Sequence, residues 1–312
     1  VTKTTDLVEE IGFKKAGYEE DPIRTLEKEY QLIKAKITSQ TKEALSDIEI
    51  DSKSKARCKN FYALGMTYFM FSRNLEPTLE WIQIKFGHNK VLAEANALAL
   101  KAGYNFADTL EVNGVACHIK PAQILPGTYR QISGNTALAW GFMFAAENSG
   151  RDLFLGSYPI TPASDILHEL ARHKNFGVKT FQAEDEIAAM SSAVGAAYAG
   201  ALALTTSSGP GIALKSEALN LAMMLELPVV IVDVQRGGPS TGLPTKTEQS
   251  DLNMALYGRN GESPIIVLAA QSPSDCFATA FEASRLAIEH MTPVMLLSDG
   301  YIANGSTPWR LP

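Results

Sequence analysis

Beyond residue 130, short uncharged apolar runs alternate with helix-length segments, and this alternation leaves few folds open. Val229 to Val232 is the clearest run, β-branched throughout, as in a strand buried on both faces. Asp233 and Val234 finish it. Leu153 to Tyr158, Lys179 to Gln182, Leu202 to Thr206, Ile265 to Leu268 and Val294 to Leu297 read as further strands. Between them, 134–149, 163–172, 185–198, 211–224 and 273–290 read as helices. The pattern predicts an α/β fold with a doubly wound parallel sheet. Ligands in such sheets sit beyond the carboxyl ends of the strands. That rule selects the loops at 156–162, 182–186, 207–211 and 235–245.

Composition shifts near residue 125, which divides the chain into 1–125 and 126–312. The first part is smaller and mainly helical. Residues 23–47 carry Leu26, Tyr30, Ile33 and Ile37 at helical spacing. Residues 60–72, 77–86 and 89–102 give further helices, with Gly103 as a stop. Residues 111–120 read as a short strand pair, followed by a connector from Pro121 to Gly127. The start at Val1, without Met, reads as a piece of a longer chain, and Trp309 to Pro312 as a linker.

A formal net charge of -6, with no Lys/Arg run, argues against a nucleic-acid partner. No signal peptide or apolar run of spanning length is visible, so no membrane partner is expected. Cys58, Cys117 and Cys276 are far apart, which speaks against a disulfide framework or a metal cluster held by this chain and for a reducing, cytoplasmic setting. His88, His118, His168, His173 and His290 show no ligand spacing. Trp140 and Trp309 read as packing residues.

The four loops carry the chemistry. In Tyr158-Pro159-Ile160-Thr161-Pro162 two prolines stiffen the backbone around a hydroxyl that can donate to a carboxylate or keto oxygen. The same residues also read as a proline turn, with Thr161 capping the next helix. Glu184, Asp185 and Glu186 satisfy a helix dipole. Glu186, however, opens an uncharged Ala/Gly-rich stretch, so partial burial is expected there. Ser207-Ser208-Gly209-Pro210-Gly211 reads as a glycine loop at a helix start, or simply as a tight turn. Arg236 opens a long glycine-rich loop after the Val229 strand. Its planar donors suit a carboxylate, although a surface ion pair would explain it too.

Y-P-I-T-P, E-D-E-I-A-A, T-S-S-G-P-G and Q-R-G-G-P-S-T-G-L-P-T, in this order, resemble the α subunit of 2-oxoacid:ferredoxin oxidoreductases, of 2-oxoglutarate type. Asn60 to Gly65, Ala95-Asn96 and Lys101 to Tyr104 resemble part of the fused γ-type domain. The resemblance implies CoA-dependent oxidative decarboxylation of a 2-oxoacid, with ferredoxin as electron acceptor. It implies a pyrimidine-type domain for thiamine diphosphate, completed by a β-type partner subunit. Glu186 would meet the aminopyrimidine ring, with Glu184 as the nearby competitor. Thr161 and Arg236 would contact substrate, while Tyr158, Pro159, Ile160, Ser208 and Gly209 would line the cofactor pocket. Thiamine enzymes bind diphosphate and Mg²⁺ through Gly-Asp-Gly and an Asn well downstream. Here Ser298-Asp299-Gly300 meets Asn304 after only four residues, the spacing of a turn. The metal ion and the 4Fe–4S cluster are therefore expected on the partner. Two rivals are a nucleotide-binding enzyme using the 207–211 turn and a non-catalytic scaffold subunit. The first is weakened because Lys215 does not directly follow the last glycine.

Overall fold

The structure is a computed structural model; it describes residues 33–110 and 119–311, together with residues 17, 23, 27, 28 and 30. It divides into two compact units, Val1–Ile124 and Leu125–Pro312.

The first unit is helical among its described residues: α1 (Ile37–Ala44), α2 (Ser52–Arg57), α3 (Lys59–Met70), α4 (Glu76–Phe86) and α5 (Lys90–Thr109). Asp51 caps α2 by accepting from Lys53 N and Ser54 N, each at 3.0 Å, and Asn89 caps α5 through Leu92 N. Gly103 does not stop its helix. It is a contact residue instead: a Cβ there would lie 1.9 Å from the Tyr62 carbonyl oxygen, and one at Gly65 would lie 2.0 Å from that of Leu100. The two glycines let α3 and α5 cross nearly backbone to backbone. The helix expected over 23–47 is also corrected. Residues 33–36 are not helical; Ile33, Ala35 and Ile37 alternate inward with a period of two against Tyr62, Met66 and Ala107. Leu26 and most of the stretch before residue 33 lie outside the described residues. So do 111–118 of the expected strand pair, with Cys117 and His118.

The second unit begins with β1 (Tyr129–Ser133) and α6 (Gly134–Ser149). It continues through β2 (Leu153–Ser157), α7 (Ser164–Leu170), β3 (Val178–Gln182), α8 (Glu186–Tyr198), β4 (Leu202–Ser207), α9 (Gly209–Met224) and β5 (Val229–Gln235). After α10 (Leu252–Tyr257) come β6 (Ile266–Ala269), α11 (Asp275–His290), β7 (Val294–Asp299), α12 (Gly300–Asn304) and β8 (Ser306–Arg310). Six strands form one sheet in the order β3-β2-β4-β5-β7-β6, and every pairing is parallel.

Side-chain alternation assigns the layers. Leu202 and Leu204, with Val230, Val232 and Val234, meet α6, α7, α11 and α12 on one face. Ala203, Val229 and Ile231 meet α8, α9 and α10 on the other. All residues of β4, β5 and β7 are buried, as their uncharged runs require. The linker expected at Trp309 is instead part of β8, which pairs antiparallel with β1. Trp309 lies against Trp140 and Phe277, at ring separations of 6.2 and 5.1 Å. No helix of the described residues is long and apolar enough to cross a membrane.

Candidate functional site

Parallel strands put all their carboxyl ends on one edge. Ser157 pairs with Gln182 and Thr206, Ser207 with Asp233, and Gln235 with Asp299, so the loops that follow leave at a common level. β2 lies between β3 and β4, so the chain turns one way after β2 and the other way later, and such a reversal is where sheets of this kind bind ligands. The buried polar side chains of the second unit gather at this end of the sheet, Ser284 on α11 excepted. Buried polar groups normally have partners. Here Ser207 Oγ, Ser208 Oγ, Asn135 Oδ1 and Arg236 Nε have none among the described residues.

Thr161 and Arg236 form one corner of the edge. The Arg236 guanidinium, only 6% exposed, donates through Nη1 to the Thr161 carbonyl at 2.7 Å and through Nη2 to the Thr241 carbonyl at 3.3 Å. Asn135 Nδ2 donates to the neighbouring Pro162 carbonyl at 2.8 Å. Two side chains thus grip the backbone of this loop from either side. The Thr161–Pro162 and Gly238–Pro239 peptide bonds are both cis. Ala163, not Thr161, is the N-cap of α7, and Thr161 is exposed. The capping reading of Thr161 therefore fails, and its hydroxyl stays available. The surface ion-pair reading of Arg236 fails as well, because the side chain is buried on carbonyl oxygens. Tyr158 is exposed beside this corner, Pro159 is half-buried, and Ile160 packs half-buried against the core.

Glu186 begins α8, where Asp185 caps the helix through Ala188 N at 2.7 Å. The Glu186 side chain is half-buried and lies across Gly211 of α9. A Cβ on Gly211 would sit 2.9 Å from Glu186 Cγ and 2.0 Å from Ser207 Oγ. One turn further along α9, Lys215 is fully buried, and its Nζ donates to Thr205 Oγ1 at 2.7 Å. Burial draws the Lys215 ammonium down to about 8, while the charges of Glu186 and Asp185 oppose that fall. Glu184 is exposed.

Asp233 ends the inward row of β5 beside Ser207. Neither of its oxygens receives a hydrogen bond from an N–H or O–H donor of another residue. Burial, and then the charge of Asp251, raise it well above the usual carboxylate range. Asp251, whose charge acts on Asp233, is itself raised by burial. Asp251 in turn lies against the start of α9: a Cβ on Gly209 would be 2.7 Å from Asp251 Oδ2. Asp299 is committed elsewhere. Its Oδ1 accepts from Tyr301 N and Ile302 N, and its Oδ2 from Gln249 Nε2, so the Ser298-Asp299-Gly300 segment caps α12 rather than forming a bare turn. No cluster of three metal-ligating side chains occurs among the described residues.

The sequence reading missed Lys215, Ser207, Asp233, Asp251, Asn135 and the role of Gly211. A signal for two of them was present. Lys215 occupies the apolar face of α9 at helical spacing with Ile212, Leu219 and Ala222, and Asp233 interrupts an apolar strand.

A profile of the family described as pyruvate flavodoxin/ferredoxin oxidoreductase, thiamine diP-bdg, matches residues 149–312. The chain belongs to that oxidoreductase family. The chain is 57% identical over 299 residues to the "2-oxoglutarate oxidoreductase subunit KorA" of Mycobacterium tuberculosis, covering 96% of this chain and 46% of that one. It is 44% identical over 182 residues to the "2-oxoglutarate synthase subunit KorA" of Archaeoglobus fulgidus, covering 58% and 51%. Among solved structures, it is similar to the 2-oxoglutarate:ferredoxin oxidoreductase from Magnetococcus marinus with 2-oxoglutarate, coenzyme A and succinyl-CoA bound. That similarity has a TM-score of 0.75 and 37% identity, covering 87% of this chain and 46% of that one. The chain spans about half the length of the curated relatives it matches. The matched residues contain all four loops of the sheet edge.

Proposed function

We propose that this chain is the α-type part of a 2-oxoglutarate:ferredoxin oxidoreductase, with 126–312 as one wall of a thiamine diphosphate cleft. Residues 1–125 would be part of a γ-type domain. The complex would convert 2-oxoglutarate and coenzyme A to an acyl-CoA and CO2, passing electrons to ferredoxin in the reducing cytoplasm. The names of the relatives support the substrate class.

The observation that carries the reading is the Arg236–Thr161 corner. A buried guanidinium with no carboxylate partner among the described residues and an unsatisfied Nε stands at the same corner as an exposed hydroxyl. A 2-oxoacid offers a carboxylate and a keto oxygen, the groups such donors recognise. In this reading Arg236 holds the Thr161 loop in place and takes the substrate carboxylate, and Thr161 donates to substrate.

The residues also fit thiamine diphosphate. Glu186 is half-buried and accepts no hydrogen bond from the described residues, which suits a carboxylate facing a ring nitrogen. The free Ser208 hydroxyl and Gly209, with Tyr158, Pro159 and Ile160, would line the pocket. When bound, the coenzyme supplies a nucleophilic carbon and an electron sink for the loss of CO2. This chain's contribution is to place the Glu186 carboxyl against the coenzyme ring, orient substrate through Arg236 and Thr161, and close one side of the cleft. Asp299 is engaged in capping, so we assign Mg²⁺, the diphosphate contacts and the 4Fe–4S cluster to a β-type partner subunit.

The test is reconstitution with that partner and an assay of coenzyme A-dependent viologen reduction across several 2-oxoacids. The reading expects 2-oxoglutarate to be the best substrate, and Arg236→Met to raise KM for it about tenfold or more, as loss of a charged hydrogen bond implies. Activity on pyruvate or branched 2-oxoacids in place of 2-oxoglutarate would overturn the substrate assignment.

A further inference from the structure

Around Thr161 three consecutive backbone carbonyls are tied down, and the hydroxyl is left over. The Ile160 carbonyl accepts from Ala163 N at 2.8 Å, from Ser164 N at 3.1 Å and from Ser164 Oγ at 3.1 Å. The Thr161 carbonyl accepts from Arg236, and the Pro162 carbonyl from Asn135 Nδ2 at 2.8 Å. Ile160 packs on the core and Pro162 is buried, whereas Thr161 is exposed. Two successive carbonyls held from either side fix the peptide planes that flank Pro162, and with them the bond that leads back to the Thr161 Cα.

Asn135 is 1% exposed, and its Oδ1 has no partner among the described residues. Burying an amide with an unmet acceptor costs stability, and an apolar side chain of the same volume would avoid that cost. Turning the amide over would set Oδ1 against the Pro162 carbonyl, oxygen against oxygen, so the donor faces the loop and the acceptor goes without. The residue stands on a firm base. Ser133 caps α6 through Thr136 N at 3.4 Å, and a Cβ on Gly134 would lie 2.3 Å from the Ile302 carbonyl oxygen of α12. α12 is itself capped by Asp299, and its first residue, Gly300, faces Pro162, where a Cβ would be 3.6 Å from the ring Cγ. Both helices thus meet the same proline.

We propose that Asn135 is a positioning residue for Thr161: by holding the Pro162 carbonyl opposite the Arg236 grip on Thr161, its buried amide sets the direction in which the Thr161 hydroxyl faces the substrate. The kinetic meaning rests on the reading that Thr161 donates to the 2-oxoacid; the grip on the loop does not. Being buried, Asn135 acts through Thr161 and not on the substrate itself. A hydroxyl held in one direction donates without first being ordered, which favours binding of the 2-oxoacid.

The test is amide hydrogen exchange in the full chain, followed by kinetics of the complex reconstituted with the β-type partner. In Asn135→Leu, which keeps the volume and removes the donor, exchange at Ala163 and Ser164 is expected to rise about tenfold or more, as loss of a buried hydrogen bond implies. Exchange along β5 should stay as it is. Asn135→Ala is a second variant with the same expectation. No rise at these two amides, or one no larger than along β5, overturns the proposal. In the complex, KM for 2-oxoglutarate should rise about fivefold or more while KM for coenzyme A is kept, a split that a mere loss of folded enzyme does not produce. In a Thr161→Val background, Asn135→Leu should change KM by less than about twofold, because the hydroxyl it positions is gone. A full-sized effect there overturns the proposal as well. The site reading fails separately. If exchange rises in Asn135→Leu while Thr161→Val leaves the complex fully active, the grip stands and the substrate role of Thr161 falls.

Discussion

At Gly211 a hydrogen atom stands where any other residue would place a carbon, and Glu186 and Ser207 use the space. Gly211→Ala should turn both side chains away. Affinity of the reconstituted complex for thiamine diphosphate is expected to fall about tenfold or more, a cost of ~1–3 kcal/mol typical of an added methyl in a tight site. A coenzyme titration checks this; unchanged affinity would mean that Glu186 does not face the coenzyme. Asp233 gives a prediction with a pH sign. Its folded pKa is raised above the unfolded value, so the folded chain binds the extra proton, and stability is lost as pH rises through the folded pKa. Asp233→Asn keeps the shape of the side chain without needing that proton. It should stabilise the chain at neutral pH, with the gain fading as pH falls towards 4, the ordinary range of an aspartate. Melting temperatures at pH 5 and pH 8 measure it, and a gain independent of pH would contradict it.

Among the elements, the parallel strands were legible because β4, β5 and β7 are buried on both faces and carry uncharged runs. The loop motifs were legible for a related reason. Each loop alone also reads as an ordinary turn or ion pair, but four of them in one order at strand ends do not. Other elements depend on partners distant in sequence. β8 is only Ser306–Arg310, contains Pro308, and gains its strand character by pairing with β1 and placing Trp309 on Trp140. Residues 33–36 precede α1 without being helical, because Ile33 and Ala35 pack against Tyr62, Met66 and Ala107 of α3 and α5. Gly103 looked like punctuation because the α3 backbone that presses on it is invisible from its neighbours. Gly103→Ala should force α3 and α5 apart and cost ~1–3 kcal/mol, since the obstacle is the Tyr62 carbonyl and cannot rotate aside. Urea unfolding monitored by far-UV circular dichroism checks it; a neutral Gly103→Ala would show that the two helices are not locked at this point.

For the molecule as a whole, the proposed function makes the polar edge of the sheet half of a site. It gathers a gripped Thr161 loop, a buried Arg236, a half-buried Glu186 and unsatisfied serine hydroxyls, while Asp299 is taken up by capping. Such an arrangement can orient a substrate and present a carboxylate; in the proposed function a second polypeptide carries the metal and the diphosphate. The chain by itself is therefore expected to show no coenzyme A-dependent viologen reduction. The decisive measurement compares Glu186→Ala with the unaltered chain, each reconstituted with the β-type partner and supplied with 2-oxoglutarate and thiamine diphosphate. The account predicts a loss in turnover of about a hundredfold or more, the range for removing a group that manages a proton in the reaction. Equal turnover by the two complexes would contradict it.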